Sequence, residues 1–443
     1  MEGALNFREK VLDHLHDCGM DYRSIDFISN VNVFKKQMEE GLAGHDSTLQ
    51  MIPAYIGMPV DVPCNKPVIA IDAGGTNLRV ALVSFGTDKK PVISDYQNYK
   101  MPGVEKEVSC DEFFDVFAGY LKKLIISTNK IGFCFSYPVQ IQPDHDGRLL
   151  YFTKEVKVKN SQGILVGANL IQSLKRAGID RAMDIIVLND TAATLLGGKA
   201  AYPDRVFGAY IGFILGTGTN TAYVEECANI SKISGIIPST GSMIINIESG
   251  GYGMIKQGEA DIEMDKYTVD PGHYHFEKMI SGRYQGELIL TALKRALKVN
   301  DIEKRMFSCC FSQKIAEVEH LTATEVDEFL LYPYGNGALA SCCGAIDDDR
   351  QYMFHMIDCL MERSAKLAAI NLSATVVKTG KAIKPFAPVC ITAEGSAFYR
   401  SKLMKPKVEY YLKNYLNETM GLYYEFVKSD NPTIIGTAIA GLS

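Results

Sequence analysis

One short string occurs twice, and it constrains this chain more than any other feature. Gly-Thr-Asn stands at 75–77 and again at 218–220, each time at a turn between two strand-like apolar runs. Glycine lets backbone N–H groups approach an anion closely, because no Cβ intervenes and positive φ is allowed. A following threonine adds a hydroxyl donor. The first segment supplies Gly74, Gly75, Thr76 and Asn77, and the second Gly216, Thr217, Gly218 and Thr219. Two such turns on matching supports predict two related lobes, each offering backbone to one shared phosphate-bearing ligand. Asp72, at the end of the first strand, is a hard oxygen ligand suited to Mg²⁺, directly or through water. Arg79, just beyond the turn, is placed to offset phosphate charge.

The rest of the chain fits that division. At 443 residues it exceeds what one hydrophobic core usually serves. Residues 1–50 read as helical, with Val11, Leu12, Leu15 and then Val31, Phe34, Met38 at three-to-four spacing. A connector with Pro53, Pro59, Pro63 and Pro67 follows. Strand-like runs then recur at 68–85, 131–139, 185–190, 210–224 and 387–395, with amphipathic helices between them, notably Asp111–Ile126 and Tyr352–Val377. Alternation of this kind predicts an α/β architecture.

Several function classes are excluded or disfavoured. The formal net charge is −6 and no basic block occurs, so a nucleic-acid partner is not expected. Eleven cysteines without any C-x-x-C spacing read as reduced thiols, and the charged start lacks the apolar core of a signal peptide. No apolar run approaches the roughly 18 residues of a membrane span. The expected compartment is the cytoplasm. LLGGKA around Lys199 resembles the end of a P-loop, but Ala193 and Ala200 stand where its glycine and hydroxyl belong. No G-x-G-x-x-G opens a helix in a dinucleotide setting. The paired histidines at 14/16 and 273/275 are not read as metal ligands, and Asp347–Asp349 is read as a solvated turn before a helix.

IIVLNDTAATLLGG reads as a buried strand running into a helix that begins near Asp190 and Thr191. Locally, the plainest use of Asp190 is as the helix cap. Polar groups in otherwise buried or glycine-rich segments keep it company: Ser136, Thr153, Lys154, Asn189, Asn246, Glu248 and Glu277. A sugar has a donor and an acceptor at every hydroxyl, so its site needs such amides and carboxylates to converge.

MIPAYIG, IAIDAGGTNLRV, IGFCFSYPVQ, FTKEVK, LNDTAATL, FILGTGTN, MIINIESGGYG, DPGHYHFEKMISGRYQGEL and ITAEGSAFYR follow one another in the order of the hexokinase family, which the chain resembles over roughly 49–441. The resemblance implies a two-lobed, actin-like or ribonuclease H-like α/β fold with the active site in the cleft. It implies an N-terminal helical segment (1–65) packing on the large lobe, a small lobe (66–188) rejoined by a C-terminal helix (431–443), and a large lobe (189–430). It further implies ATP- and Mg²⁺-dependent phosphorylation of a hexose, most simply glucose to glucose 6-phosphate, with Asp190 as general base and closure of the lobes on the sugar. Ser136, Thr153, Lys154, Asn189, Asn220, Glu248 and Glu277 resemble the sugar-contacting residues. Gly74–Asn77, Arg79 and Gly216–Thr219 resemble the phosphate segments, Gly282, Gly395 and Ser396 the adenosine side, and Asp72 the residue acting on Mg²⁺ through water. The chain departs from the family at Ser249, where an aromatic is usual, at Glu155 and Val156 after Thr-Lys, and at Glu394 in place of Asp. The first two bear on which hexose is preferred. Another hexose or amino sugar, a non-catalytic sugar sensor, and a polyphosphate or pyrophosphate donor are the alternative readings. The sequence assigns no oligomeric state.

Overall fold

Val68–Gly74 (β1), with six of seven residues buried, runs through the middle of a five-stranded sheet. The structure is a computed structural model and describes residues 2–59, 61–152, 156–299, 301, 304–344 and 347–443. β1 turns through Gly75 and Thr76 into antiparallel β2 (Asn77–Phe85), which pairs with antiparallel β3 (Pro91–Lys100). On the other side β4 (Lys130–Phe135) runs parallel to β1, and β5 (Asp184–Leu188) parallel to β4, giving the order β5-β4-β1-β2-β3.

The second sheet repeats this plan. β6 (Ala209–Leu215) forms a hairpin with β7 (Thr219–Glu226), and β7 pairs with antiparallel β8 (Ser242–Asn246). β9 (Val389–Glu394) lies parallel to β6 and β10 (Tyr424–Val427) parallel to β9, so the order is β8-β7-β6-β9-β10, with Ile52–Pro53 added beyond β8. What the sequence shows as a repeated tripeptide is thus a repeated five-strand unit. The tripeptides themselves are out of register. Gly74 pairs with Asn77 across the first turn, whereas Leu215 pairs with Thr219 across the second. The turn tips are therefore Gly75-Thr76 and Gly216-Thr217-Gly218.

Helices cover the sheets: α1 (Glu2–Asp17), α2 (Phe27–Ala43), α3 (Cys110–Leu121), α4 (Val166–Arg176), α5 (Asp190–Ala201), α6 (His275–Ile280), α7 (Asp347–Thr379) and α8 (Pro432–Leu442). The predicted helix at Asp111–Ile126 is α3 followed by a 3₁₀ turn at Leu124–Ile126. Asp347–Asp349 is the first turn of α7 and not a turn before it; Asp347 and Asp348 are exposed as expected, Asp349 is buried, and the carboxylates complement the helix dipole. Asp349 is 1% exposed and accepts from the Ser308 amide and hydroxyl at 2.7 and 2.6 Å.

Among the described residues, three large cores follow from this layering. One joins α1, α2 and α7 to β6 and β7 through Val11, Phe34, Met38, Phe213, Tyr223 and Ile357. Another joins α3 and α4 to the first sheet through Ile71, Phe113, Phe117, Phe133 and Leu170. A third lies between the sheets and contains Ala70, Leu188, Leu196, Ala222, Ile244, Ile435 and Ile439. Its centre is the crossing of α5 and α8, so close that a Cβ on Gly436 would lie 1.7 Å from the Ala193 carbonyl oxygen. Among the described residues no helix is long and apolar enough to cross a membrane.

Candidate active site

The polar residues singled out in the sequence gather at the carboxyl ends of the parallel strands, where open α/β sheets leave backbone groups to face a ligand. Asp72 sits near the end of β1, Ser136 just past β4, Asn189 and Asp190 just past β5, Gly216 just past β6, and Gly395 and Ser396 just past β9.

Asp72 is 6% exposed and pairs across the hairpin with Arg79, with Nη1 to Oδ2 at 3.1 Å. Burial is the main reason its carboxyl is pushed up to about 6; Arg79 works against this, while nearby Asp190 and Glu394 add to it. Three carboxylates thus bear on one spot beside one guanidinium. Hard oxygens in excess negative charge fit Mg²⁺ and do not fit a soft metal. Among the described residues no three His, Cys, Asp or Glu side chains are grouped to hold a metal alone. A cation held through Asp72 would take its remaining ligands from phosphate and water.

Asp190 is not the helix cap. That role falls to Asn189, whose Oδ1 accepts from the Thr191 amide at 2.8 Å. Asp190 is the first residue of α5, half-buried, with the Thr191 hydroxyl donating to its Oδ1 at 3.2 Å. Freed from capping, its carboxylate acts electrostatically on both Asp72 and Glu248.

Beside Glu248, the Asn220 amide is fixed from behind. Its Oδ1 accepts from the Thr221 and Ser249 amides at 2.7 and 3.2 Å. Its Nδ2 therefore faces forward, donating to Asn246 Oδ1 at 2.7 Å and Glu248 Oε1 at 2.9 Å. Asn246 donates to the same Glu248 oxygen at 2.5 Å. Burial pushes the Glu248 carboxyl up to about 7, the two amides oppose this, and Asp190 and Glu277 reinforce it. Glu277, on α6, accepts from the Thr219 amide at 3.0 Å, and a Cβ on Gly218 would come within 2.5 Å of its Oε2. The second turn and the carboxylate cluster are in direct contact.

The first turn is held similarly. A Cβ on Gly74 would lie 3.3 Å from the Ser136 hydroxyl, and the buried Tyr137 hydroxyl donates to the Gly75 carbonyl at 2.8 Å. Thr76 is exposed at its tip, and Thr217 is exposed at the tip of the other turn. Thr219 differs from the expectation. It is 5% exposed and its hydroxyl donates to the Ile214 carbonyl at 2.9 Å, so the free hydroxyl of the second turn is that of Thr217.

Gly216, Gly282 and Gly395 come from three elements to one bare patch of backbone. The Gly282 amide, at the start of the helix Gly282–Ala296, donates to the Gly216 carbonyl at 2.8 Å. Gly395 has φ +118°, and a Cβ there would meet the Leu215 carbonyl oxygen at 2.2 Å. A helix N-terminus among glycines that leave the backbone without side chains suits an anion. A cavity of about 380 Å³ adjoins this region, walled by Arg79, Tyr96, Glu394, Tyr399, Lys428 and Thr433 among others. Glu394 fills the position of the shorter acid because two hydroxyls reach it, Thr194 of α5 at 3.1 Å and Thr433 of α8 at 2.7 Å.

Ser249 does not line the cleft. It is fully buried, 3.3 Å from the Thr221 hydroxyl, which accepts from Asn371 of α7 at 2.7 Å. Sequence reasoning missed Thr221, Tyr137 and Asn371. The last carried a signal, being an amide inside the apolar run LAAINLSATVV. Thr153 and Lys154 lie outside the described residues.

Two family models described as hexokinase match the chain, at residues 15–200 and 210–443. Hexokinase-5 of Oryza sativa subsp. japonica is 30% identical over 371 residues, 78% of this chain and 71% of that protein. Hexokinase-1 of Spinacia oleracea is 34% identical over 274 residues, 58% of this chain, and the match spans 54% of the spinach protein. A structure of the hexokinase from Schistosoma mansoni complexed with glucose superposes with a TM-score of 0.76 at 20% identity, covering 99% of each chain. The fold is therefore the actin-like pair of α/β lobes. With both halves matched, the chain belongs to the hexokinase family, phosphotransferases whose acceptor is a hydroxyl group.

Proposed function

We propose that this protein transfers the terminal phosphoryl group of ATP to the 6-hydroxyl of a hexose, glucose foremost, with Asp190 as the base. The observation that supports this reading is that Asp190, released from capping by Asn189, lies near enough to both Asp72 and Glu248 for its charge to raise each of them. Ser136, Asn189, Asn220, Glu248 and Glu277 would hold the sugar, together with Thr153 and Lys154. Gly74–Asn77, Arg79 and Gly216–Gly218 would hold the phosphates, and Gly282, Gly395 and Ser396 the adenosine side. The lobe boundaries near residues 66, 189 and 431 belong to this proposal. Eleven free cysteines support a reducing compartment, the cytoplasm.

Phosphoryl transfer asks a protein for position and charge neutralisation, because the transferred group is loosely bonded at the transition state. Arg79, the turn amides and the N-terminus of the helix Gly282–Ala296 supply positive potential where negative charge accumulates. Bound Mg²⁺, held through Asp72, would neutralise phosphate oxygens and orient them. Asp190 accepts the proton of the attacking hydroxyl. Water competes as a nucleophile, so sugar binding must help assemble the site by closing the lobes about the α5–α8 crossing. A coupled ADP-release assay with glucose, mannose, fructose and N-acetylglucosamine tests the reading. ADP release that needs a hexose and disappears in Asp190→Asn supports it; hexose-independent release, or none, sinks it.

A further inference from the structure

The hydroxyl of Tyr137 donates to the Gly75 carbonyl at 2.8 Å, and the Met101 amide donates to the Thr76 carbonyl at 2.9 Å. Both carbonyls at the tip of the first turn are therefore held by the protein. The amides of the same two residues have no hydrogen-bond acceptor among the described residues, and Thr76 is exposed. The tip presents donors outward and keeps its acceptors inside.

A peptide group is planar and trans, so its N–H points opposite to its C=O. The Gly75 carbonyl and the Thr76 amide belong to one such group, and holding the carbonyl from inside aims the amide out. Gly75 has φ +61° and Thr76 is not left-handed, the pattern of a type II′ turn with glycine at its first central position. Glycine makes rotation about its own bonds cheap, so a fixed donor is what sets the plane. The phenol is such a donor. Tyr137 is 1% exposed, and its ring lies 5.0 Å from that of Phe135 on β4 and 4.9 Å from that of Phe152, on which Phe113 of α3 packs at 5.3 Å. The preceding Ser136 amide donates to the Ala73 carbonyl at 3.1 Å, which fixes the backbone that carries the ring.

We infer that Tyr137 is a positioning residue for phosphate binding, its hydroxyl locking the Gly75–Thr76 peptide so that the N–H faces the phosphate of a bound nucleotide. The inference rests on the phosphotransfer reading above and adds to it a residue that acts through the turn, without contact to either substrate. A tip that offers donors alone suits an anion. A sugar hydroxyl both donates and accepts, and half of that need would go unmet here.

Tyr137→Phe deletes the hydroxyl and keeps the ring in its aromatic core. Titration calorimetry on the full chain, with Mg²⁺ present, compares a non-hydrolysable ATP analogue, adenosine and glucose. The analogue should bind roughly threefold to tenfold more weakly, the scale of one neutral hydrogen bond, while adenosine and glucose stay within about twofold of wild type. In turnover, kcat/KM for ATP should fall by the same factor with the KM for glucose unmoved. Peptide-resolved hydrogen exchange should quicken over residues 72–79 and stay unchanged over 215–219. An analogue bound as tightly as by wild type, or all three ligands weakened alike, would reduce Tyr137 to packing and overturn the inference. A wild-type chain that binds no analogue counts against the proposed function instead, and exchange over 72–79 then decides: unchanged rates overturn the inference, faster rates uphold the lock.

Discussion

Asn371, in the middle of the 33-residue helix α7, donates a 2.7 Å hydrogen bond to the hydroxyl of Thr221, the residue that follows Asn220. The core around α7 thereby reaches the back of the proposed sugar site, because the Thr221 amide and the Ser249 amide together hold Asn220 Oδ1. Replacing Asn371 with Leu leaves a buried hydroxyl short of its donor, at about 1–3 kcal/mol. The expected outcome is a lower melting temperature together with a several-fold higher KM for the hexose at nearly constant kcat. Thermal unfolding and steady-state kinetics check it; a fall in stability with KM unmoved would confine Asn371 to packing.

Asp190→Asn preserves the shape of the first turn of α5 and leaves the Asn189 cap in place. Loss of a general base lowers kcat by roughly 10²–10⁴-fold. Hexose binding, measured by calorimetry, should survive within a few-fold. Near-normal turnover would remove Asp190 from the chemistry.

Gly218→Ala is a steric probe of the contact between the second turn and Glu277. The added methyl meets Oε2 at 2.5 Å, so the carboxylate must shift and lose the Thr219 amide. Loss of one charge-assisted hydrogen bond raises the hexose KM by on the order of tenfold.

Glu248 gives a pH dependence with a defined sign. Its carboxyl is raised by burial to about 7 in the folded chain, against roughly 4.3 when unfolded. Between those values the folded chain holds a proton that the unfolded chain releases, so this contribution to stability falls as pH rises through the window and is gone above 7. Asp72, raised to about 6, acts in the same direction. A sugar hydroxyl donating to Glu248 favours the charged form, so hexose binding should release a proton and tighten from pH 6 to 8. Calorimetry in buffers of different ionisation enthalpy reads this directly; affinity that is flat over that range, or equally sloped in Glu248→Gln, refutes it.

Closure about the α5–α8 crossing should appear as a smaller radius of gyration by small-angle scattering at saturating glucose. An unchanged scattering profile would separate sugar binding from lobe movement.

The architecture was largely legible in the residues. Runs such as VIAIDAG and IIVL are apolar on both faces, which only a covered parallel sheet tolerates, and the glycine turns marked the hairpins between them. Asp347–Asp349 was misread because three carboxylates look solvated in isolation. Asp347 and Asp348 are exposed, and only the packing of Ser308 against Asp349 buries the third carboxylate.

At the site, the residues alone could nominate Asp190 but left capping as its plainest use, since an Asp and an Asn at one strand–helix junction are interchangeable as caps. The tertiary structure gave the cap to Asn189 and the cleft to Asp190. It likewise turned Ser249 inward to Thr221, moved the exposed hydroxyl of the second turn from Thr219 to Thr217, and brought Tyr151 to Tyr274. Chain chemistry determined the strands, the turns and the inventory of donors and carboxylates, because those depend on near neighbours. Which oxygen faces which lobe depends on burial and on contacts between distant segments, and only the folded arrangement of the two sheets decided it.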